Sequence, residues 1–374
     1  ADELTIDDVI LSVDARSQRV KAGIKLDALD YNRTIRGALN VELRNVQIDG
    51  TTDGLLLHET DSAKVEQSTI HVDDSPIEVD KGARTALTNL VLDGSQACID
   101  FTDADTQTGV SLVEAVDCTV NSDDSALYYR TGNSSSPAPR DFIIRDSTFR
   151  IVQSYPRRAA LRLYPRDGAT AIAVENNDID IAGGSGISVR THVDAAAPVR
   201  IANNLIRTVS NRSEGIHIDN VEQFSDVQIV NNAISINPTA NFGHDKGVAL
   251  QLEPRSSTYT GVVNVVFANN LVVTSDDSQD LDQAVQPSPG RGPFAITSKS
   301  NLYYGNFSYI YDRVTVSSPG DIVGISPQLS GSDLDVAATS PAVDAGDCSL
   351  ASPTDYYGIA RPVGAGCDIG AYEK

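Results

Sequence analysis

Leu161-Arg162-Leu163-Tyr164, Ile187-Ser188-Val189-Arg190 and Ile216-His217-Ile218-Asp219 are one template, apolar-x-apolar-x, written three times. Upstream the template recurs at Leu55-Leu56-Leu57-His58, Ile77-Glu78-Val79-Asp80, Ile99-Asp100-Phe101-Thr102 and Leu127-Tyr128-Tyr129-Arg130. Downstream it returns at Val248-Ala249-Leu250-Gln251 and Phe294-Ala295-Ile296-Thr297. Most successive copies lie about 22–30 residues apart, the spacing of a repeat array. A second half-template, marked by asparagine, falls between them: Asn45-Val46-Gln47-Ile48, Asn89-Leu90-Val91-Leu92, Asn177-Asp178-Ile179-Asp180, Asn204-Leu205-Ile206, Asn232-Ala233-Ile234-Ser235 and Asn270-Leu271-Val272-Val273. Short strands of period two cannot bury an apolar face alone, whereas stacking each coil on the next buries all of them in one interior. Asparagine suits the corners, because it tolerates unusual backbone angles and bonds to a stacked neighbour. A leucine-rich repeat would carry denser leucines and a stricter period, and a β-sandwich does not repeat one template. The pattern predicts an all-β fold, a right-handed parallel β-helix of about nine to eleven coils.

The ends are read from the same logic. Ile6, Val9, Ile10 and Val13 have helical spacing, and Thr5 with Asp8 resembles a capping box, which predicts an N-terminal helical cap over the first coil. Such a cap would cover open strand edges. After about residue 325 the template stops and Pro, Gly and Ser become common, so residues 1–325 are expected to form the β-helix with its cap. Residues 326–374 are expected to form a C-terminal extension packed on it. Segments 133–140, 237–245 and 276–292 are expected to be long loops walling a groove.

Charge and cysteine usage narrow the function. With 29 Lys+Arg against 51 Asp+Glu and a net charge of −22, the chain lacks the basic surface that general nucleic-acid binding needs. No stretch approaches the roughly 18–20 consecutive apolar residues of a membrane span. The four cysteines fall into two close pairs, Cys98/Cys118 and Cys348/Cys367, without the CxxC spacing of a zinc or redox site, and are expected to form two local disulfides. Together with a start at Ala1 and no Met anywhere, this reads as a secreted or cell-surface chain after signal-peptide removal.

Ser340-Pro341-Ala342-Val343-Asp344-Ala345-Gly346, Asp355, Gly358, Arg361-Pro362 and Asp368-Ile369-Gly370-Ala371-Tyr372-Glu373 form a distinctive tail. This arrangement resembles the C-terminal segment of secreted right-handed β-helix proteins of the pectate-lyase-like superfamily. The resemblance implies that architecture; its members include polysaccharide lyases, glycoside hydrolases, epimerases and adhesins, so the chemistry must be read from the site. Ser122-Asp123-Asp124-Ser125-Ala126-Leu127-Tyr128-Tyr129-Arg130-Thr131-Gly132 is similar to the GDD-x-IAIKSG segment of polygalacturonase-type glycoside hydrolases. That family's upstream NTD aspartate would fall near Ala97, and its GHG and RIK elements have no counterpart, Arg157-Arg158-Ala159 occupying the region.

In each template strand the apolar residues point inward and the x residues outward. Stacking makes the x positions two columns. The first is expected to read Leu56, Glu78, Asp100, Tyr128, Arg162, Ser188, His217, Ala249, Ala295, and the second His58, Asp80, Thr102, Arg130, Tyr164, Arg190, Asp219, Gln251, Thr297. His192 and Glu253 extend this face sideways. Tyr128, Arg130, Arg162, Tyr164, Arg190, His217 and Asp219 are thereby predicted to be the catalytic patch, with Asp100, His192, Gln251 and Glu253 binding substrate.

A cationic, aromatic stripe on an acidic protein points to an anionic glycan: arginine forks match carboxylates, and tyrosine faces match sugar rings. For β-elimination of a uronate, a cation neutralises the substrate carboxylate, a base takes the α-proton and an acid assists the leaving oxygen. Arg130, Arg162 or Arg190 would neutralise, and Tyr128, Tyr164, His192 or His217 would act as base or acid. The alternative is hydrolysis by paired carboxyls drawn from Asp100, Asp123, Asp124 and Asp219. Asp123-Asp124 is also a candidate calcium ligand pair through its oxygens; no other metal pattern or cofactor motif is present. A non-catalytic glycan binder or adhesin would use the same stripe. The partner is a polysaccharide or oligosaccharide, and the protein is expected to be a monomer or a trimer.

Overall fold

The computed structural model describes residues 2–12, 22–27, 39–81, 84–104, 109–121, 124–131, 140–152, 159–166, 169–191, 196–209, 214–237, 247–255, 262–274, 282–287, 294–311, 314–316, 320–331 and 333–374. They build a parallel β-solenoid. One wall is an eleven-stranded sheet that holds the template strands: Ala22–Asp27, Asp53–His58, Ile77–Asp80, Ile99–Ala104, Leu127–Thr131, Ala159–Tyr164, Ser185–Arg190, Glu214–Asp219, Val248–Glu253, Asp282–Pro287 and Phe307–Tyr311. Each pairs in parallel with the copy one coil on. The other two walls count as one 22-stranded sheet, because Thr85–Gly94 and Gly109–Val120 run through the corner between them.

The interior is the sum of the template's apolar positions. Leu161, Leu163, Ile187, Val189, Ile216 and Ile218 are fully buried. Near the middle coils Tyr129 stacks on Phe142 with ring centroids 3.9 Å apart, and Phe101 meets both edge-on. Both expected disulfides form, Cys98–Cys118 inside the solenoid and Cys348–Cys367 in the tail.

The asparagine signal resolves into two jobs at one corner. Asn176, Asn203, Asn231 and Asn269 adopt left-handed backbone with φ of 55–57°. The next residue in each case, Asn177, Asn204, Asn232 or Asn270, is buried. Its Nδ2 donates to the Oδ1 of the following rung at 3.0–3.1 Å, in a ladder that continues to Asn301. Asn301 Nδ2 in turn donates to Asp321 at 3.2 Å. In earlier coils Ser68 and Ser147 take the inward place.

Three expectations are corrected. The N-terminal segment is not a helical cap: Asp2–Asp7 pairs with Leu39–Arg44, and Ile10–Ser12 with Gln47–Asp49. Asp8, at φ 55°, is a left-handed corner that no helix could pass through, so the helical spacing of Ile6, Val9 and Ile10 arises from two short strands meeting at a bend. Val13 lies outside the described residues. Next, Phe294–Lys299 belongs to the neighbouring sheet, and the tenth template rung is Asp282–Pro287, inside the segment expected to be a loop. Finally, the column register slips late in the chain. Ala249 is buried, so Gln251 follows His217 in the first column and Glu253 follows Asp219 in the second. Most of the other two expected loops lies outside the described residues.

The tail crosses the solenoid's flank. Leu334, Val336, Ala342, Ile369, Ala371 and Tyr372 cover Leu205, Ala233, Leu271 and Leu302. The left-handed corner asparagines hold it: Asn203 donates to Thr354 O, Asn231 to Asp368 O and Asn269 to Asp347 O. Among the described residues no helix is long and apolar enough to cross a membrane.

Candidate functional site

The outward columns of the template wall bring most predicted residues together. Register places Glu78 beside Asp100, Asp100 beside Tyr128, Tyr128 beside Arg162, Arg162 beside Ser188, and Ser188 beside His217. In the second column Arg130 lies beside Tyr164, and Arg190 beside Asp219. Neighbouring rungs are about 4.8 Å apart, so every adjacent pair is within side-chain reach.

At the centre, Arg162 lies between two tyrosines. Its guanidinium carbon is 5.2 Å from the Tyr128 ring centroid and 4.8 Å from that of Tyr164. Arg162 Nε donates to Tyr164 Oη at 2.8 Å, and the two rings meet edge-to-face at 5.8 Å. Because the Tyr164 oxygen accepts from Arg162, its own proton is directed elsewhere. The cluster is a pair of rings set edge-to-face with a cation held against both.

Toward the N-terminal coils the face becomes acidic. Burial first, then Asp53 and Asp100, pushes Glu78 up to about 7. Burial first, then Asp124, pushes Asp100 up to about 6, with Arg130 acting in the opposite sense. Asp80 sits 3.0 Å from His58 Nε2. Asp124 Oδ1 accepts the backbone N–H of Ser125 at 2.8 Å, which ties this carboxylate to the strand entrance.

Toward the C-terminal coils is a cross-rung clamp. His217 Nδ1 is 3.2 Å from Glu214 Oε2, and His217 Nε2 is 3.5 Å from Glu253 Oε2. Burial opposes the imidazolium, but the two carboxylates outweigh it and hold His217 up at about 10. The same contacts keep Glu214 below its ordinary value against the effect of burial. Ser185 Oγ donates to Glu214 Oε2 at 2.6 Å. Beside it Arg190 Nε lies 3.0 Å from Asp219 Oδ2, yet burial still raises Asp219. At neutral pH His217 is thus a held cation.

His192 and Asp123 lie outside the described residues. The calcium reading of Asp123-Asp124 therefore has only Asp124 placed; among the described residues no group of three or more His, Cys, Asp and Glu is arranged to hold a metal ion. Sequence reasoning passed over Glu78 as a site residue and missed Glu214. Glu78 stands in the first column, one rung before Asp100, but alternation says nothing about how deeply a carboxyl sinks between its neighbours. Glu214 shares the inward parity of Ile216 and Ile218, so alternation gives no sign of it; the pattern breaks at the buried Gly215, and Glu214 meets His217 on the outer face.

No known protein family matches the chain, and a search of characterised proteins finds none similar to it.

Proposed function

We propose that the chain is a carbohydrate-active enzyme of the right-handed, pectate-lyase-like β-helix type. It works outside the cytosol and cleaves a uronate-containing polysaccharide by β-elimination on the template wall. The observation that carries this reading is a carboxyl of raised basicity, Asp100, one rung from Tyr128 and close enough to Arg130 to feel its charge. A base with a pKa near the working pH is the right proton acceptor. In this reading Arg130 neutralises the substrate carboxylate and Asp100 takes the proton from the carbon α to it. The freed electron pair forms the carbon–carbon double bond, and the glycosidic oxygen leaves from the β carbon with a proton from Tyr128. Arg162 and Tyr164 seat the adjoining sugar, and the His217 clamp fixes the wall beyond. Two disulfides suit an oxidising compartment. The β-helix and the extension from about residue 326 would act as one unit, since the tail is bolted to the corner asparagines.

One observation favours hydrolysis as a second reading: Glu78 and Asp100 are both raised carboxyls on neighbouring rungs. Glu78 would protonate the leaving oxygen while Asp100, ionised above about 6, acts on the other face of the sugar. Asp100→Asn, Arg130→Ala and Glu78→Gln, each checked for retained β-sheet signal, separate the two. Elimination predicts that Asp100→Asn and Arg130→Ala each lose about a hundredfold or more in kcat/KM while Glu78→Gln stays within about threefold. Full activity in Asp100→Asn would remove both readings.

A further inference from the structure

On a chain with 51 Asp+Glu against 29 Lys+Arg, an outward cation meets a carboxylate unless its neighbours are uncharged. Along the template wall Arg190 lies 3.0 Å from Asp219, His217 is clamped by Glu214 and Glu253, His58 faces Asp80, and Arg130 acts on Asp100. The rung of Ala159–Tyr164 departs from this pattern. Arg162 and Arg166 stand on either side of Tyr164, both half-buried. Among the described residues neither has a carboxylate partner: Arg162 Nε donates to Tyr164 Oη, and the Arg166 backbone N–H donates to Thr131 Oγ1. The Arg166 Nε–H is buried without an acceptor. The adjoining rungs set Tyr128 and Ser188 beside Arg162, again uncharged.

We infer that this rung is a subsite for a sulfate ester carried by the sugar next to the one that is cleaved, so that the substrate is a sulfated, uronate-containing glycan. The inference rests on the polysaccharide site proposed above, with the reacting uronate over Asp100 and Tyr128. Its focus is Tyr164 Oη. Arg162 Nε is 2.8 Å from that oxygen, which brings the terminal amines of the same fork to its side, and both rings hold the fork in place. Arg166 starts about 6–7 Å further along the chain, within reach of the same point for a side chain of its length. Tyr164 accepts from Arg162, so its own proton is left to donate outward. The spot is therefore a bank of donors. One fork fills a carboxylate, whereas a sulfate ester presents three terminal oxygens to two forks and a hydroxyl. A permanent anion also suits two cations that no acid of the described chain neutralises.

The test compares chondroitin 4-sulfate, in which each uronate adjoins a sulfated sugar, with the same chain chemically desulfated, at one fixed ionic strength. Affinity is measured by titration calorimetry, and unsaturated product is followed in parallel. The unaltered protein is expected to bind the sulfated chain about tenfold or more tightly. That ratio should fall about fivefold or more in Arg162→Gln and in Arg166→Gln, each checked for retained β-sheet signal, and recover in part in Arg166→Lys. It should stay level from about pH 5 to 9, since guanidinium and sulfate keep their charges throughout while Glu78 and Asp100 act on both chains alike. Equal binding of the two chains overturns the inference, as does a preference that survives in both glutamine variants, which would put the sulfate elsewhere. Product from both chains with equal efficiency overturns it while leaving the enzymatic reading intact. The expected preference, lost in the variants but without product, would uphold the inference and remove the elimination reading. No binding of either chain overturns the inference and leaves elimination to its own test.

Discussion

At the scale of single residues, Glu78, Asp100 and His217 are held away from their ordinary titration, which separates function from stability. Glu78 and Asp100 hold protons in the folded chain at pH values where the unfolded chain has lost them, so their effect on stability turns unfavourable as pH rises from about 4 through about 6–7. Glu78→Gln is expected to stabilise the fold above that window by about 1–2 kcal/mol after solvent screening, measured as a higher unfolding midpoint at alkaline pH. His217 behaves oppositely. Its folded value lies above the unfolded one, so its contribution is complete below about 6.5 and is lost as pH climbs through about 10. His217→Ala leaves Glu214 and Glu253 facing each other and should cost about 2 kcal/mol near neutral pH, seen in the denaturation midpoint. The rate has its own signature: kcat/KM should rise along a limb near pH 6 as Asp100 ionises. That limb should move to higher pH in Arg130→Ala, since Arg130 is what holds Asp100 down. The outward positions of Arg162, Arg190, His217 and Asp219 were legible from alternation alone, because period two fixes which face a strand residue takes. Tyr164, two residues on from Arg162 on the same face, was legible with it, whereas the contact of His217 with Glu253 was not, since it crosses a coil at which the column register slips.

At the scale of the repeating element, each coil is specified twice: by apolar positions that face the interior and by a corner that turns the chain. The asparagine doublets perform the second task, and the buried ladder ties rung to rung. Asn232 donates to Ile201 O, Val230 O and Asn270 Oδ1, and its own Oδ1 accepts from the backbone and side chain of Asn204. Asn232→Ala would orphan several fully buried groups at once. A loss on the order of 3 kcal/mol is expected, read as a lowered denaturant midpoint with the slope unchanged. The mistaken N-terminal helix shows where a short pattern misleads. Ile6, Val9 and Ile10 fit one helical face, yet the same spacing results when a left-handed Asp8 joins two strands, and only the pairing with Leu39–Arg44 decides between them. The late column slip has a related cause: Val248-Ala249-Leu250 reads as a template copy, but a further inward leucine, Leu252, means that the outward positions are Gln251 and Glu253.

At the scale of the whole molecule, the tail seals one flank with a charged lock. Arg361 and Glu373 are paired with side-chain exposures of 1% and 0%, and Arg361 Nη2 donates to Gly370 O at 2.9 Å. Arg361→Ala would leave Glu373 buried without its cation, costing about 3–5 kcal/mol locally and freeing the tail, so limited proteolysis should then cut beyond about residue 325 while the coils stay intact. The motif from Ser340 to Glu373 thus marks architecture: its acidic residues bind backbone N–H groups, as Asp355 does those of Tyr357 and Ile359. The proposed chemistry belongs to the template wall. The most direct measurement of the central claim follows the ultraviolet absorbance of unsaturated uronate together with new reducing ends, using a uronate-containing polysaccharide and the Asp100→Asn protein as control. The account predicts that both signals rise in step with the unaltered protein and that neither rises with Asp100→Asn. Reducing ends without absorbance, or an Asp100→Asn protein as active as the original, would contradict it.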